Sequence, residues 1–236
     1  VQDTNNINSH GFMKLSSSKV AALGIEITKY RHQATGAEHT HLACDSAENA
    51  FMVALRTPPS DSSGVFHILE HLITCGSKQY PVNNLFFKAT QGSVSSFMNA
   101  FTSSDWTAFP FASANRKDFD NLLSIFLDAV FFSNLDPLDF AQEGWRYEFS
   151  EPNDPDSKLS FNGVVLNEMK GAMNMESEVI WDKLMSNLYP DSCYQYNHGG
   201  DPEQICRLTY EQLKSAYATY YHPGNAVFLT YGDLSA

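Results

Sequence analysis

Two histidines four residues apart inside an eleven-residue apolar stretch, VFHILEHLITC at 65–75, constrain this chain more than any other feature. The stretch has its own boundary signals, with Ser62 or Ser63 as a helix N-cap and Gly76 as the C-terminal stop. In a helix so bounded, His67 and His71 stand one turn apart on one face and can converge on a single ion. Glu70 shares that side but is offset from the metal axis, where it can take a proton from a metal-activated water without ligating. Zinc accepts imidazole nitrogen, and a catalytic zinc site keeps one position open.

Two imidazoles leave a zinc site incomplete, so a third Asp, Glu or His must arrive from elsewhere in the chain. Glu168 is the best candidate. The helix expected over 164–173 (VVLNEMKGAM) places it on a face with Val164, Val165, Gly171, Ala172 and Met175. A carboxylate on an apolar stripe is costly unless it is paired or metal-bound. Glu176 and Glu178 lie in a more polar stretch and are weaker candidates. The four cysteines, Cys44, Cys75, Cys193 and Cys206, include no CxxC pair and read as free, mostly buried thiols.

Around this centre the pattern mixes strands and helices without strict alternation, which predicts an α+β fold. Strands are expected over 25–31, 38–43, 51–55, 94–101, 105–111 and 225–231. The helix after Asn115 carries its cap, with Asp118 three residues on. Thr209 and Gln212 form a capping box for a helix running to Tyr221. Segment 151–158 and the Pro/Asp/Asn/Gly-rich stretch 189–205 read as loops. Residues 1–20 are expected to be an N-terminal extension, and 21–236 a single zinc-binding catalytic domain.

With a formal net charge of −12 and a pI near 4.9, the surface disfavours nucleic acid. No run reaches the roughly 18 apolar residues of a membrane helix, so no membrane partner is expected. The first residues, VQDTNNINSHGFMKL, show neither a basic n-region nor an apolar h-region and lack an initiator Met. A processed chain, or one cut from a longer protein, is expected.

HILEH at 67–71 is the inverted zinc-peptidase motif HxxEH. Together with TGAEHTHLACD (35–45), CGSKQYPV (75–82), FMNAFTSSDWTAFP (97–110), QEGWRYE (142–148), GVVLNEMKG (163–171), GGDP (199–202) and YYHPGNAVFLTYGD (220–233), it resembles the pitrilysin/insulinase family. Within that family it is most similar to the presequence-protease and falcilysin branch. The resemblance implies a mainly antiparallel sheet with helices packed on it, Zn2+ held by His67, His71 and Glu168, and Glu70 as general base. It also implies that a short unfolded peptide adds to the strand Ser96–Thr102, with Asn99 and Ala100 as contacts. The partner domain would be a homologous C-terminal half of the same polypeptide. An organellar matrix and a bacterial cytoplasm are both compatible with this reading. A non-catalytic peptide-binding or structural subunit of the same fold is the alternative, but such relatives lose the motif, which this chain keeps. A zinc hydrolase of small molecules would not need the substrate strand.

Overall fold

The computed structural model describes residues 10–234 with the exception of Pro152. One large sheet organises them. Its strands are β1 (Phe12–Val20), β2 (Ile25–His32), β3 (Glu38–Ala43), β4 (Asn49–Arg56), β5 (Phe97–Met98), β6 (Phe101–Thr102), β7 (Trp106–Ser113) and β10 (Ala226–Gly232). The spatial order is β1-β2-β3-β10-β4-β7-β5, with β6 also on β7. Every pair is antiparallel except β3 with β10, so the expected α+β class holds. A separate two-stranded hairpin joins β8 (Arg146–Phe149) to β9 (Leu159–Asn162) across the expected loop.

The helices are α1 (Val65–Cys75), α2 (Leu85–Gly92), α3 (Arg116–Phe131), α4 (Pro137–Glu143), α5 (Val164–Ala172), α6 (Glu176–Leu188), α7 (Pro202–Ile205) and α8 (Tyr210–Tyr220). Phe51, Val53 and Leu55 of β4 alternate toward one face of the sheet, as a half-buried strand requires. There they meet α3, in one buried cluster with the apolar face of α1. Phe111 of β7 packs on Phe119 and Phe126 of α3 at ring separations of 5.1 and 4.8 Å, and Phe86 of α2 stacks on Phe126 at 4.4 Å. This aromatic layer joins α2 and α3 to the sheet, and α1 packs against both helices and against β6.

Several expectations need correction. Residues 12–20 are not a free extension: they form the edge strand β1, paired along its length with β2. Residues 1–9 lie outside the described residues. The N-cap of α1 is Gly64, in the left-handed region at φ 67°, rather than Ser62 or Ser63. The two serines are used elsewhere: Ser62 Oγ accepts from Asn197 N–H, and Ser63 N–H donates to Asp61. Helices α2, α4 and α6 go beyond the sequence expectations, and the short α7 falls inside the stretch 189–205 expected to be a loop, capped by Asp201 with Pro202 in its first turn. Helix α4 did carry a readable signal, Asp136 capping Leu138 N–H with Pro137 in the first turn. Helix α6 has no side-chain cap and no buried residue, and its signal is confined to Glu176 and Glu178 in the first turn and to Ile180, Leu184 and Leu188 at helical spacing. All four cysteines are free, but only Cys75 is buried, its thiol pushed up to about 12 chiefly by burial.

Candidate metal centre

Helix α1 turns Phe66, Ile68, Leu69, Leu72 and Ile73 into the core, which leaves His67, Glu70, His71 and Thr74 half-buried on its other side. The 3.6-residue period therefore delivers the polar positions as one stripe. Helix α5 presents Glu168 to that stripe, with Val165, Leu166 and Met169 buried beneath. Glu168 Oε2 lies 3.7 Å from His67 Nε2 and 3.9 Å from His71 Nε2. One ligand atom from each of the three residues falls within 4.8 Å of the others.

Glu168 is not on a buried apolar stripe, as its neighbours in sequence suggested. Its side chain is 56% exposed, against 12% for His67 and 24% for His71. Helix α5 buries Val165, Leu166 and Met169, and Glu168 lies with Asn167 on its exposed side, so the carboxylate stands at the rim, facing the imidazoles.

Each imidazole is oriented from behind. His67 Nδ1 lies 2.9 Å from the carbonyl oxygen of Gly199. A carbonyl only accepts, so Nδ1 carries the proton and Nε2 presents its lone pair toward Glu168. His71 Nδ1 lies 3.0 Å from Glu143 Oε2, which sets the same tautomer, and Gln142 Nε2 donates to the other oxygen of Glu143 at 2.9 Å. Burial pulls the basicity of His71 down, but the Glu143 hydrogen bond and the charges of Glu70, Glu143 and Glu168 outweigh it and raise it. The hydrogen bond from His71 in turn holds the Glu143 carboxyl low, against its own burial. In the same loop as Gly199, His198 is held low first by burial and then by nearby His67.

Two nitrogen lone pairs and a carboxylate oxygen facing one point fit zinc by donor type. Ligand atoms at zinc distances and tetrahedral angles lie roughly 3.4 Å apart, close to the observed spacings. Glu143 and Gly199 were not singled out from the sequence. Nothing local marks either one, since both reach α1 from distant elements.

The expected substrate strand appears as two short pieces, β5 and β6, in one register on β7, interrupted at Asn99 and Ala100. The interruption has a local cause. Asn99 Oδ1 accepts from Ala100 N–H at 2.9 Å, so the side chain competes for a backbone donor. Asn99 N–H still donates to Pro110 O. Among the described residues β5 and β6 form an edge of the sheet, and β6 lies beside α1. Asn99 and Ala100 line a cleft of about 350 Å3 together with Glu70, His71, Phe87 and Met98.

The insulinase profile (peptidase family M16) matches residues 56–178, more than half of the chain and the whole of this stripe. The chain belongs to the insulinase family. Among curated members, the mitochondrial presequence protease of Xenopus tropicalis is 51% identical over 225 residues, and that of Mus musculus 50% over 224. The Schizosaccharomyces pombe protein is 42% identical over 224 residues. Each alignment covers 95% of this chain and 22 or 23% of the relative, so the chain spans about a quarter or less of the length of these family members. The crystal structure of pitrilysin superposes with a TM-score of 0.70 at 16% identity, over 96% of this chain and 23% of that one. A peptidase M16 inactive domain from Pseudomonas fluorescens superposes at 0.68 and 18% identity, over 89% of this chain and 47% of that one. At such identities the insulinase-family likeness is one of fold.

Proposed function

We propose that this chain is the zinc-binding catalytic domain of an endopeptidase that degrades short, unstructured peptides of the targeting-peptide kind. The observation that carries the reading is the convergence of His67, His71 and Glu168 with Glu70 on the same helix stripe. Fold alone does not choose between enzyme and inactive subunit, since an inactive domain shares it. The four residues favour the enzyme.

Bound at this centre, zinc supplies Lewis-acid chemistry, acidifying a water and polarising a carbonyl. The Glu70 carboxylate accepts the water proton and then delivers it to the departing amine. His67 and His71 hold their protons on Nδ1 throughout. The open edge at β5 and β6 offers main-chain groups to an extended peptide near Asn99 and Ala100. Pairing of that kind tolerates many sequences but requires an unfolded substrate. The net charge of −12 adds a preference for basic peptides, felt more in encounter rate than in affinity. A homologous C-terminal half of the same polypeptide would close the site, and the mitochondrial relatives favour a matrix location.

The test separates metal binding from chemistry in the full-length protein. Zinc-loaded wild type should hold one zinc in this domain. Glu70→Gln should keep that zinc and lose most peptide hydrolysis, while Glu168→Gln should lose the zinc. Equal zinc loss in both variants would defeat the assignment of roles. Efficient cleavage of a folded protein would defeat the substrate reading.

A further inference from the structure

The carbonyl of Gly199 that orients His67 belongs to a loop stitched to the entry of α1 by side-chain hydrogen bonds. Asn197 Oδ1 accepts from Gly199 N–H at 3.1 Å and from Gly200 N–H at 3.3 Å. Asn197 N–H donates to Ser62 Oγ at 3.0 Å, and Asp201 N–H to the Ser62 carbonyl at 2.7 Å. Ser62 N–H is taken by Gln204 Oε1 at 3.2 Å. Gly200 N–H is shared with the Asn197 main-chain carbonyl at 3.1 Å, so Asn197 ties down both peptide groups flanking Gly199, and its amide oxygen alone takes Gly199 N–H.

The backbone leaves no slack around this contact. Gly64, the N-cap of α1, has φ 67°, and a Cβ there would stand 2.7 Å from the Gly199 oxygen. A Cβ on Gly199 would stand 2.8 Å from Met169 Sδ, and one on Gly200, at φ 107°, would stand 2.8 Å from Ile205. Glycine at all three positions lets the loop approach α1 closely enough for the carbonyl to reach His67.

We infer that Asn197 is a positioning residue for the metal centre, holding the Gly199 carbonyl against His67 Nδ1 so that Nε2 stays unprotonated and aimed at the ligand cluster. This rests on the zinc reading proposed above and gives a role to the GGDP segment, Gly199–Pro202. Groups that orient a metal-ligating imidazole through its other nitrogen fix the tautomer and contribute to affinity. Here the orienting group is a main-chain oxygen, which no substitution of Gly199 removes. Its placement is what a mutation can disturb, and Asn197 controls that placement.

The test uses the full-length protein, with zinc affinity measured by chelator competition and ligand geometry by the visible absorption of the cobalt-substituted form. Asn197→Ala should weaken zinc about tenfold and alter the cobalt spectrum, while Asn197→Asp, which keeps an acceptor oxygen, should recover affinity to within about threefold of wild type. Wild-type affinity and an unchanged cobalt spectrum in Asn197→Ala would overturn the inference. So would an Asn197→Asp variant as weak as Asn197→Ala, since that pattern is merely structural. Should Asn197→Ala fail to fold, Ser62→Ala decides, because it removes only the acceptor for Asn197 N–H. A severalfold loss of zinc affinity supports the role, and none overturns it. Glu168→Gln is the control for the metal reading itself. If wild type holds no zinc, or Glu168→Gln keeps it, the centre has been misread. If Glu168→Gln loses zinc while Asn197→Ala binds normally, only the positioning role falls.

Discussion

Glu143, at the C-terminal end of α4, reaches His71 of α1 with its Oε2 3.0 Å from Nδ1, and the carboxylate is nearly buried. The residues are far apart in sequence, and the contact makes α4 part of the metal centre. Replacing Glu143 by Ala should leave His71 free to rotate and lower zinc affinity about 10- to 100-fold, read by chelator competition. Glu143→Gln should fall between the two, because its amide oxygen can still accept from Nδ1–H. Unchanged affinity in Glu143→Ala would show that packing alone orients His71.

The paired histidines of β3 predict acid sensitivity away from that centre. His39 Nε2 and His41 Nδ1 both lie 2.8 Å from Thr230 Oγ1 on β10. His39 is held down to about 4 from its ordinary 6.5, first by burial and then by His41; burial also lowers His41, against its backbone partners. The unfolded chain takes up protons at both rings near pH 6.5, and the folded chain does so only at lower pH, for His39 near 4. The unfolded state thus binds more protons in this window, so stability falls as pH drops from about 6.5 toward 4 and levels off below. The loss should be on the order of 3 kcal/mol for His39. His39→Gln should flatten that part of a denaturation profile measured against pH. A slope unchanged by the substitution would place the titration elsewhere.

Core energetics give a sharp contrast. Phe126 is fully buried between Phe86 and Phe111, and Phe126→Ala should cost about 3–5 kcal/mol in denaturant unfolding. Leu138, 78% exposed at the start of α4, should change stability by no more than about 0.5 kcal/mol when replaced by Ala. Comparable losses at the two sites would mean that the aromatic layer is not the centre of the fold.

The capping box at the start of α8 is complete, with Thr209 Oγ1 accepting from Gln212 N–H and Gln212 Oε1 accepting from Thr209 N–H. Thr209→Ala should cost about 1 kcal/mol, a shift of roughly 2–4 °C in the thermal midpoint for a domain of this size. A midpoint that does not move would mean that water replaces the cap without loss.

What could be read from the sequence was local. The length of α1, the shared face of His67, Glu70 and His71, the Asn115 cap and the Thr209 box all depend on residues within a turn or two of one another. Short-range periodicity and capping chemistry decide such features before any tertiary contact forms. Strand β3 matched its expected bounds for the same reason, its run of residues ending cleanly at both sides. Tertiary structure decided whatever required distant segments to meet. It turned residues 12–20 from an extension into β1, because an edge strand is defined by its partner and not by its own pattern. The N-cap of α1 moved to Gly64, because only glycine tolerates the approach of Gly199. Glu168 came to the rim because α5 buries Val165, Leu166 and Met169 instead, and Glu143 and Asn197 were brought behind the two imidazoles. None of these placements follows from local spacing, since each is fixed by which surfaces pack together around α1.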